Sequence, residues 1–290
     1  MHRFFLHNGE VREASDRTLA AGQVGLMNGW GVFSTVRVQD GILFAFERHW
    51  ARMKRDADLL RVPFPWASPD ALEAELRPLV DANQAMHATL RVCVVRNRGG
   101  MWEGPGIERE ADLIAFTTDL KNWGDGVRLA VERQARHAAS RFAGAKMLSW
   151  AQNLVSLEEA QAEGYDEVIL LNERDEVSEC TSANLFAAFG REVRTPPIES
   201  GCLPGVTREI LLSEAPVSGY SVIEHTLHLE SLAAADEVFI TSTTRDLLPV
   251  ISVEGIAIRS QGSARVALQE AFSRYTDEYV STRRSKLYAS

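Results

Sequence analysis

No stretch of this chain approaches the roughly 20 consecutive apolar residues that a membrane-spanning helix needs, so neither a membrane span nor a membrane partner is expected. The opening residues, MHRFFLHNGEVREASDR, lack the unbroken apolar core of a secretory signal, which points to the cytoplasm. Cysteine is scarce: Cys93, Cys180 and Cys202 are three in number, widely spaced and without a CxxC pair. That pattern excludes a disulfide framework or cysteine-held zinc and suits reduced thiols. The seven histidines give no HExxH, and His225 and His228 have no third ligand nearby, so no metal is expected. Positive charge is also short, with 31 Lys and Arg against 40 Asp and Glu and a formal net charge of −9. Duplex nucleic acid, which favours a basic face, is therefore set aside. A small anion in a locally positive pocket is not. Internal repeats and low-complexity tracts are absent as well.

What is present is ordinary for a globular enzyme or binding protein: 290 residues, 45% hydrophobic and 24% charged. Phe33 to Phe46 holds two alternating runs around Asp40-Gly41, a hairpin signal. Glu47 to Leu60 reads as a helix, with Trp50, Met53, Ala57 and Leu60 on one face. A second helix spans Pro69 to Ala85, capped by Ser68, with a kink or break at Pro78. Ala88 to Val95 and Asp112 to Thr117 read as strands. Between them the glycine-rich segment Asn97 to Gly106, carrying Met101 and Trp102, is either a mobile cover or a plain surface loop. The pattern breaks over residues 119–126, which divides the chain into a smaller lobe at 1–118, a linker at 119–126 and a larger lobe at 127–290. Beyond the linker, Ser149 to Glu163 is a helix with Trp150, Leu154, Leu157 and Ala160 on one face and Gly164 as its stop. Glu167 to Leu171, Leu185 to Phe189 and Glu237 to Ser242 read as strands. Thr207 to Glu214 and Ser263 to Val280 read as helices. Strand groups with helices between them predict an α+β fold.

Four local features could carry chemistry. Lys146 stands in GAKMLSWAQNL beside Gly144, Ala145 and Met147, and an apolar setting disfavours the charged amine and frees it for Schiff-base chemistry. Its alternative is a surface lysine at a helix start. Glu179, in EVSECTSANLF, is followed by Thr181, Ser182 and Asn184, which can lock a turn. Its carboxylate could pair with a pyridinium nitrogen, or simply stabilise that turn. In TPPIESGCLPGVTREILL, Gly201 and Gly205 allow close backbone approach, and a helix begins near Thr207. Its first amides, those of Val206 and Thr207, would suit a phosphate together with the Thr207 hydroxyl. Last, FITSTTRDLLPV ends a strand in Thr241, Ser242, Thr243 and Thr244, hydroxyls fit for an anion or for a satisfied turn.

Taken in order, these segments resemble the class IV aminotransferases, among them branched-chain and D-amino-acid aminotransferases, (R)-selective amine transaminases and aminodeoxychorismate lyases. The stretch Glu176 to Glu209 carries the most specific part, E-x-T/S-x-x-N-x-F followed by T-P-P, L-x-G and a T-R pair. The resemblance implies a two-lobed fold of the fold type IV pyridoxal-phosphate class, with the site between lobes and the cofactor in the C-terminal one. It implies pyridoxal 5'-phosphate held covalently by Lys146, with Glu179 at the pyridine nitrogen and Leu203 against the ring. Arg52, in an H-x-x-R segment, the amides of Val206 and Thr207, and Thr243 would hold the phosphate. Trp150 stands where relatives often carry an aromatic residue. A homodimer is implied, with an amino donor and a keto-acid acceptor as small-molecule partners and ping-pong transamination as the reaction.

Departures bear on the substrate. Many relatives read F-E-x-x-R, whereas here Phe33 is followed by Ser34-Thr35-Val36-Arg37, so the Arg37 environment differs. Arg91 falls near the carboxylate arginine of branched-chain enzymes and Arg96 near that of D-amino-acid enzymes. Thr244 and Arg245 complete the substrate set, and Arg245 is read either as a carboxylate ligand or as a surface arginine paired to Asp246. STTRD resembles the transaminase branches more than the lyase branch. The alternatives to a transaminase are elimination of pyruvate from aminodeoxychorismate and a catalytically silent binding protein.

Overall fold

Two short strands, β1 (Phe4–His7) and β2 (Glu10–Glu13), open the chain, and a one-turn helix α1 (Val24–Asn28) leads into β3 (Gly31–Gln39). The structure is a computed structural model that describes every residue except Trp102, Gly106, Ser260, Gln261, Ala289 and Ser290. β4 (Ile42–Leu43) folds back on β3 through Asp40 and Gly41, whose φ angles are 50° and 74°. Positive φ at both positions gives the two-residue turn whose twist matches a hairpin. The helix α2 (Phe46–Leu60) follows, then α3 (Pro69–Ala82). Ser68 Oγ accepts from the Ala71 N–H at 3.2 Å, the cap that the sequence called for. Pro78 neither splits nor ends α3, because the buried row Leu72, Leu76, Leu79 and Val80 packs the segment as one element.

With β5 (His87–Arg96) and β6 (Ala111–Asp119) the strands form a six-stranded antiparallel sheet ordered β2-β1-β6-β5-β3-β4. Period-two alternation divides its faces. Val32, Val36, Val38, Leu90, Val92 and Val94 pack with Phe46, Met53 and Leu76 from the helices. Phe33, Cys93 and Val95 point the other way and meet Ile114 and Leu148. Register pairs Phe33 with Cys93 and Thr35 with Arg91, so these four share that second face.

After β7 (Val127–Arg136) come α4 (Ala151–Ala162), β8 (Glu167–Asn172), β9 (Val177–Cys180), β10 (Asn184–Phe189) and β11 (Glu192–Thr195). Next are α5 (Val206–Ser213), β12 (Ser221–Glu224), β13 (Glu237–Ser242), β14 (Asp246–Val253), β15 (Ile256–Ala257) and α6 (Ala264–Tyr288). Their strands form a nine-stranded mixed sheet, ordered β12-β11-β10-β13-β14-β7-β8-β9 with β15 on β14. Leu129, Ile169, Leu185, Ile240 and Val250 are among its fully buried core. Of the apolar row read from its sequence, α4 buries Ala160 but leaves Leu154 exposed, and its other buried residues are the polar Asn153 and Ser156. Polar contacts orient it, since the Asn153 amide donates to Thr181 O at 2.6 Å and its oxygen accepts from Arg136 at 3.2 Å.

The chain divides into two compact units, Met1–Lys121 with Lys146–Trp150 and Tyr279–Ser290, and Asn122–Ala145 with Ala151–Glu278. The chain passes from the first unit to the second between Lys121 and Asn122, returns for residues 146–150 and returns again after Glu278. Residues 146–150 join the first unit by backbone pairing: Phe33 N–H donates to Lys146 O at 3.1 Å and Leu148 N–H to Gly31 O at 2.9 Å. The end of α6 joins it through side chains, with Tyr279 edge-on to Phe44 at 5.3 Å and Arg283 bonded to Glu73 at 2.9 Å. Among the described residues, no helix is long and apolar enough to cross a membrane.

Candidate active site

Lys146 owes its place to β3. The strand's Gly31–Phe33 end is paired by residues 146–148, with Val32 opposite Met147. Gly31 is obligatory for that approach, because a Cβ there would lie 2.5 Å from both Leu148 Cδ1 and Val94 O. The backbone N–H of Lys146 donates to Asp56 Oδ2 at 3.0 Å, and Asp56 is buried and paired with Arg55. The Lys146 amine then lies 4.6 Å from the centroid of the Phe33 ring. Arg91 covers the same ring at 3.5 Å and donates to Thr35 Oγ1 at 3.2 Å. Trp150 meets Phe33 edge-on at 6.1 Å. Burial lowers the pKa of Arg91 and raises that of its neighbour Cys93.

Arg52, on α2, is buried and donates to Ser34 Oγ at 3.0 Å. His49, one turn earlier, has its Nδ1 2.8 Å from the same oxygen and is fully buried. Burial, then the charges of Arg52 and of Lys146, hold the imidazole well below its ordinary pKa, so it is neutral. Sequence reading named Arg52 but missed Ser34, His49 and Asp56. His49 was visible as the first letter of H-x-x-R, whereas Asp56 carried no signal.

In the second unit Glu179 is held at both oxygens. Oε2 accepts from the Leu203 N–H at 3.0 Å, and Oε1 from Arg136 Nε at 3.3 Å. Arg136 is a further residue that sequence reading did not single out. The loop bearing Leu203 is fixed by Asn184, whose amide donates to Leu203 O at 2.8 Å. That asparagine, counted in the E-x-T/S-x-x-N pattern, packs so tightly on Gly205 that a Cβ there would lie 2.1 Å from Asn184 Oδ1. α5 starts at the next residue with no side-chain cap, so its first N–H groups have no acceptor within the helix. The hydroxyls of Thr207 and Thr241 are buried and meet no hydrogen-bond partner among the described residues. An orphaned hydroxyl beside uncapped amides is what an anion site requires. The donor set therefore fits a phosphate, and Glu179 fits a protonated ring nitrogen.

The other substrate candidates separate. Arg96 donates to Arg98 O and Arg61 O, each at 2.6 Å, and lies 4.2 Å over Trp30. Arg245 is neither at the surface nor paired to Asp246. It is buried, bonded to Glu167 at 3.1 Å and to Ser182 Oγ at 2.9 Å, and stacked on Trp123 at 3.7 Å. Thr244 O accepts from Trp123 Nε1 at 3.0 Å, and Thr243 and Thr244 are half-buried in the turn after β13. Arg37 lies on β3 opposite Thr89. Met101, of the glycine-rich loop, helps line a cavity of about 380 Å³ with Val24, Trp30, Leu60 and Met147; Trp102 lies outside the described residues. Cys93, Cys180 and Cys202 are buried free thiols, and the described residues contain no metal-binding cluster.

In the first unit a lysine amine lies over an aromatic ring; in the second a fixed carboxylate and an uncapped helix start suit a protonated ring nitrogen and a phosphate. The amino-transferase class IV family matches residues 31–253, and the chain belongs to that family, whose members use pyridoxal 5'-phosphate. It is 30% identical over 287 residues to the branched-chain-amino-acid aminotransferase of Salmonella typhimurium, covering 91% of this chain and 90% of that one. It is 29% identical over 259 residues to the D-alanine aminotransferase of Bacillus licheniformis, covering 88% and 90%. The solved branched-chain amino acid aminotransferase from Escherichia coli superposes with a TM-score of 0.84 at 28% identity, covering 95% of each chain. The fold is thus that of fold type IV aminotransferases.

Proposed function

We propose that this chain is a cytoplasmic, homodimeric transaminase that moves an amino group between an amino acid and a 2-keto acid in two half-reactions. The observation that carries the reading is the environment of the Lys146 amine. Lys54 is bonded to Asp58, and Lys121 and Lys286 are exposed. The Lys146 amine lies over the Phe33 ring, with Asp56 fixing its backbone.

In this proposal Lys146 would carry pyridoxal phosphate covalently, while Arg52, the Val206 and Thr207 amides, the Thr207 hydroxyl and Thr243 would hold the phosphate. Glu179 would accept from the ring nitrogen and keep it protonated, and Leu203 would lie against the ring. The cofactor, when bound, supplies an electron sink for the electrons of the substrate's α-carbon bond. The Lys146 amine, when free, would take the substrate's α-proton and return it, acting as base and then acid. Arg136 and the Leu203 N–H keep the Glu179 carboxylate oriented through both halves.

Arg91 is assigned to the substrate carboxylate. It and Lys146 flank one Phe33 ring, whereas Arg96 donates to two backbone carbonyls and Arg245 is paired with Glu167. That choice favours the branched-chain type of substrate over the D-amino-acid type, with aliphatic amino acids as donors.

The test is to incubate the holoenzyme with a ¹⁵N-labelled aliphatic amino acid and a 2-keto acid and follow the label. Transfer to the keto acid is expected. Consumption of aminodeoxychorismate to pyruvate with no nitrogen exchange for any donor would replace the reading with the lyase. A colourless protein with no reducible lysine adduct would replace it with a silent binder.

A further inference from the structure

The environment of Arg52 contains a hydrogen-bond chain whose proton positions can be counted. Arg52 can only donate, so its 3.0 Å contact with Ser34 Oγ uses that oxygen as acceptor. His49 Nδ1 lies 2.8 Å from the same oxygen, which has both a proton to give and a second lone pair to accept with. The same Nδ1 lies 3.5 Å from Arg52 Nη2, a donor. Because an arginine N–H faces Nδ1, that nitrogen serves as an acceptor, and the neutral imidazole carries its proton on Nε2. That Nε2–H is buried and meets no hydrogen-bond partner among the described residues.

A donor left unmade in the interior is unfavourable, and an aliphatic side chain would fill the same space without it. Ser34 is fully buried on β3 and His49 fully buried on α2, so neither serves solubility. What the pair does achieve is geometric. It pins one guanidinium nitrogen of a long, rotamer-rich side chain from two directions and leaves an uncharged donor unspent beside it.

We propose that Ser34 and His49 are positioning residues that orient the Arg52 guanidinium for an anionic group, the phosphate of the cofactor. This rests on the reading of Arg52 as a phosphate ligand. The pair acts on the phosphate end alone, so it governs how strongly the protein prefers pyridoxal phosphate over unphosphorylated pyridoxal.

Apoprotein is titrated with each compound while tryptophan fluorescence is followed, and the ratio of the two Kd values is the readout. Ser34→Ala is expected to lower the preference for the phosphorylated form about tenfold, the weight of a charge-assisted hydrogen bond, while the Kd for pyridoxal stays within about twofold. His49→Gln is the second variant and is expected to lower the ratio likewise. An unchanged ratio in a folded Ser34→Ala protein overturns the inference, as does an equal loss for both compounds, which marks a purely structural role. Failure of both variants to fold assigns the pair to the core and overturns it too. Arg52→Ala separates the layers. If that variant leaves the ratio unchanged, the phosphate role of Arg52 falls; if it collapses the ratio while Ser34→Ala does not, only the positioning role falls.

Discussion

Gly205→Ala isolates the steric fit on which the helix start of α5 depends. Gly205 has φ −70° and ψ 140°, dihedrals that alanine adopts without strain. On backbone grounds alone the substitution would stabilise by about 0.4–1 kcal/mol, because alanine restricts the unfolded chain. The structure reverses that sign. The new Cβ would lie 2.1 Å from Asn184 Oδ1 and 3.3 Å from its Cγ. Asn184 is buried and cannot swing away without breaking its 2.8 Å bond to Leu203 O. Leaving those buried groups unpaired costs about 1–3 kcal/mol, so the net expectation is a loss of about 1–2 kcal/mol. In a chain of this size that is a fall in Tm of several degrees at roughly 2–4 °C per kcal/mol. Thermal unfolding of apoprotein measures it without cofactor linkage. In an Asn184→Ala background the clash disappears, and the same glycine change is expected to be neutral or mildly stabilising. Equal stability of Gly205→Ala and parent, with Asn184 present, would refute the argument that this loop is rigidly wedged.

Three further outcomes follow from the same geometry. Arg91→Ala is expected to reduce kcat/KM for amino-acid donors about 10- to 150-fold, from about 1.5–3 kcal/mol for a charge-assisted bond, and to spare an amine donor without a carboxylate; equal losses for both would remove Arg91 from the substrate. Glu167→Gln leaves the buried Arg245 charge uncompensated and is expected to destabilise by about 3–5 kcal/mol, read by urea unfolding; a change within error would mean that Arg245 draws its support from Ser182 and Trp123 alone. Burial pushes the Cys202 thiol up to about 12 and the Cys180 thiol well above its ordinary 9.0. Below pH 9 folded and unfolded chains both keep these protons; above it only the unfolded chain releases them, so stability is present at low pH and lost as pH rises from 9 toward 12. The slope is at most about 1.4 kcal/mol per pH unit per thiol, and Cys202→Ala should flatten it between pH 9 and 10.

Local signals carried the sequence reading a long way. Asp40-Gly41 marked a hairpin turn and Ser68-Pro69 a helix start, because each depends on a few adjacent residues. The reading failed where the deciding contact is distant in sequence. Pro78 resembles a break until its buried neighbours are known. Leu154 resembles a core residue until Asn153 turns the helix toward Thr181 and Arg136. Arg245 was judged against Asp246, its neighbour in the chain, yet its partner is Glu167 on another strand. Within the site, the residues named from motifs are those expected to touch the cofactor. The ones missed, Asp56, Ser34, His49 and Arg136, hold those residues in place. Support of that kind has no fixed spacing, since any donor arriving from any element can supply it.

The proposed chemistry depends on Lys146. Its most direct test is the visible spectrum of holoprotein and of Lys146→Ala, with borohydride reduction and peptide mass mapping of the parent. A band of lysine-bound cofactor in the parent, lost in the variant, with the reduced adduct on the peptide containing Lys146, is the expected result. An unchanged band in Lys146→Ala, or an adduct mapped to another lysine, would contradict it.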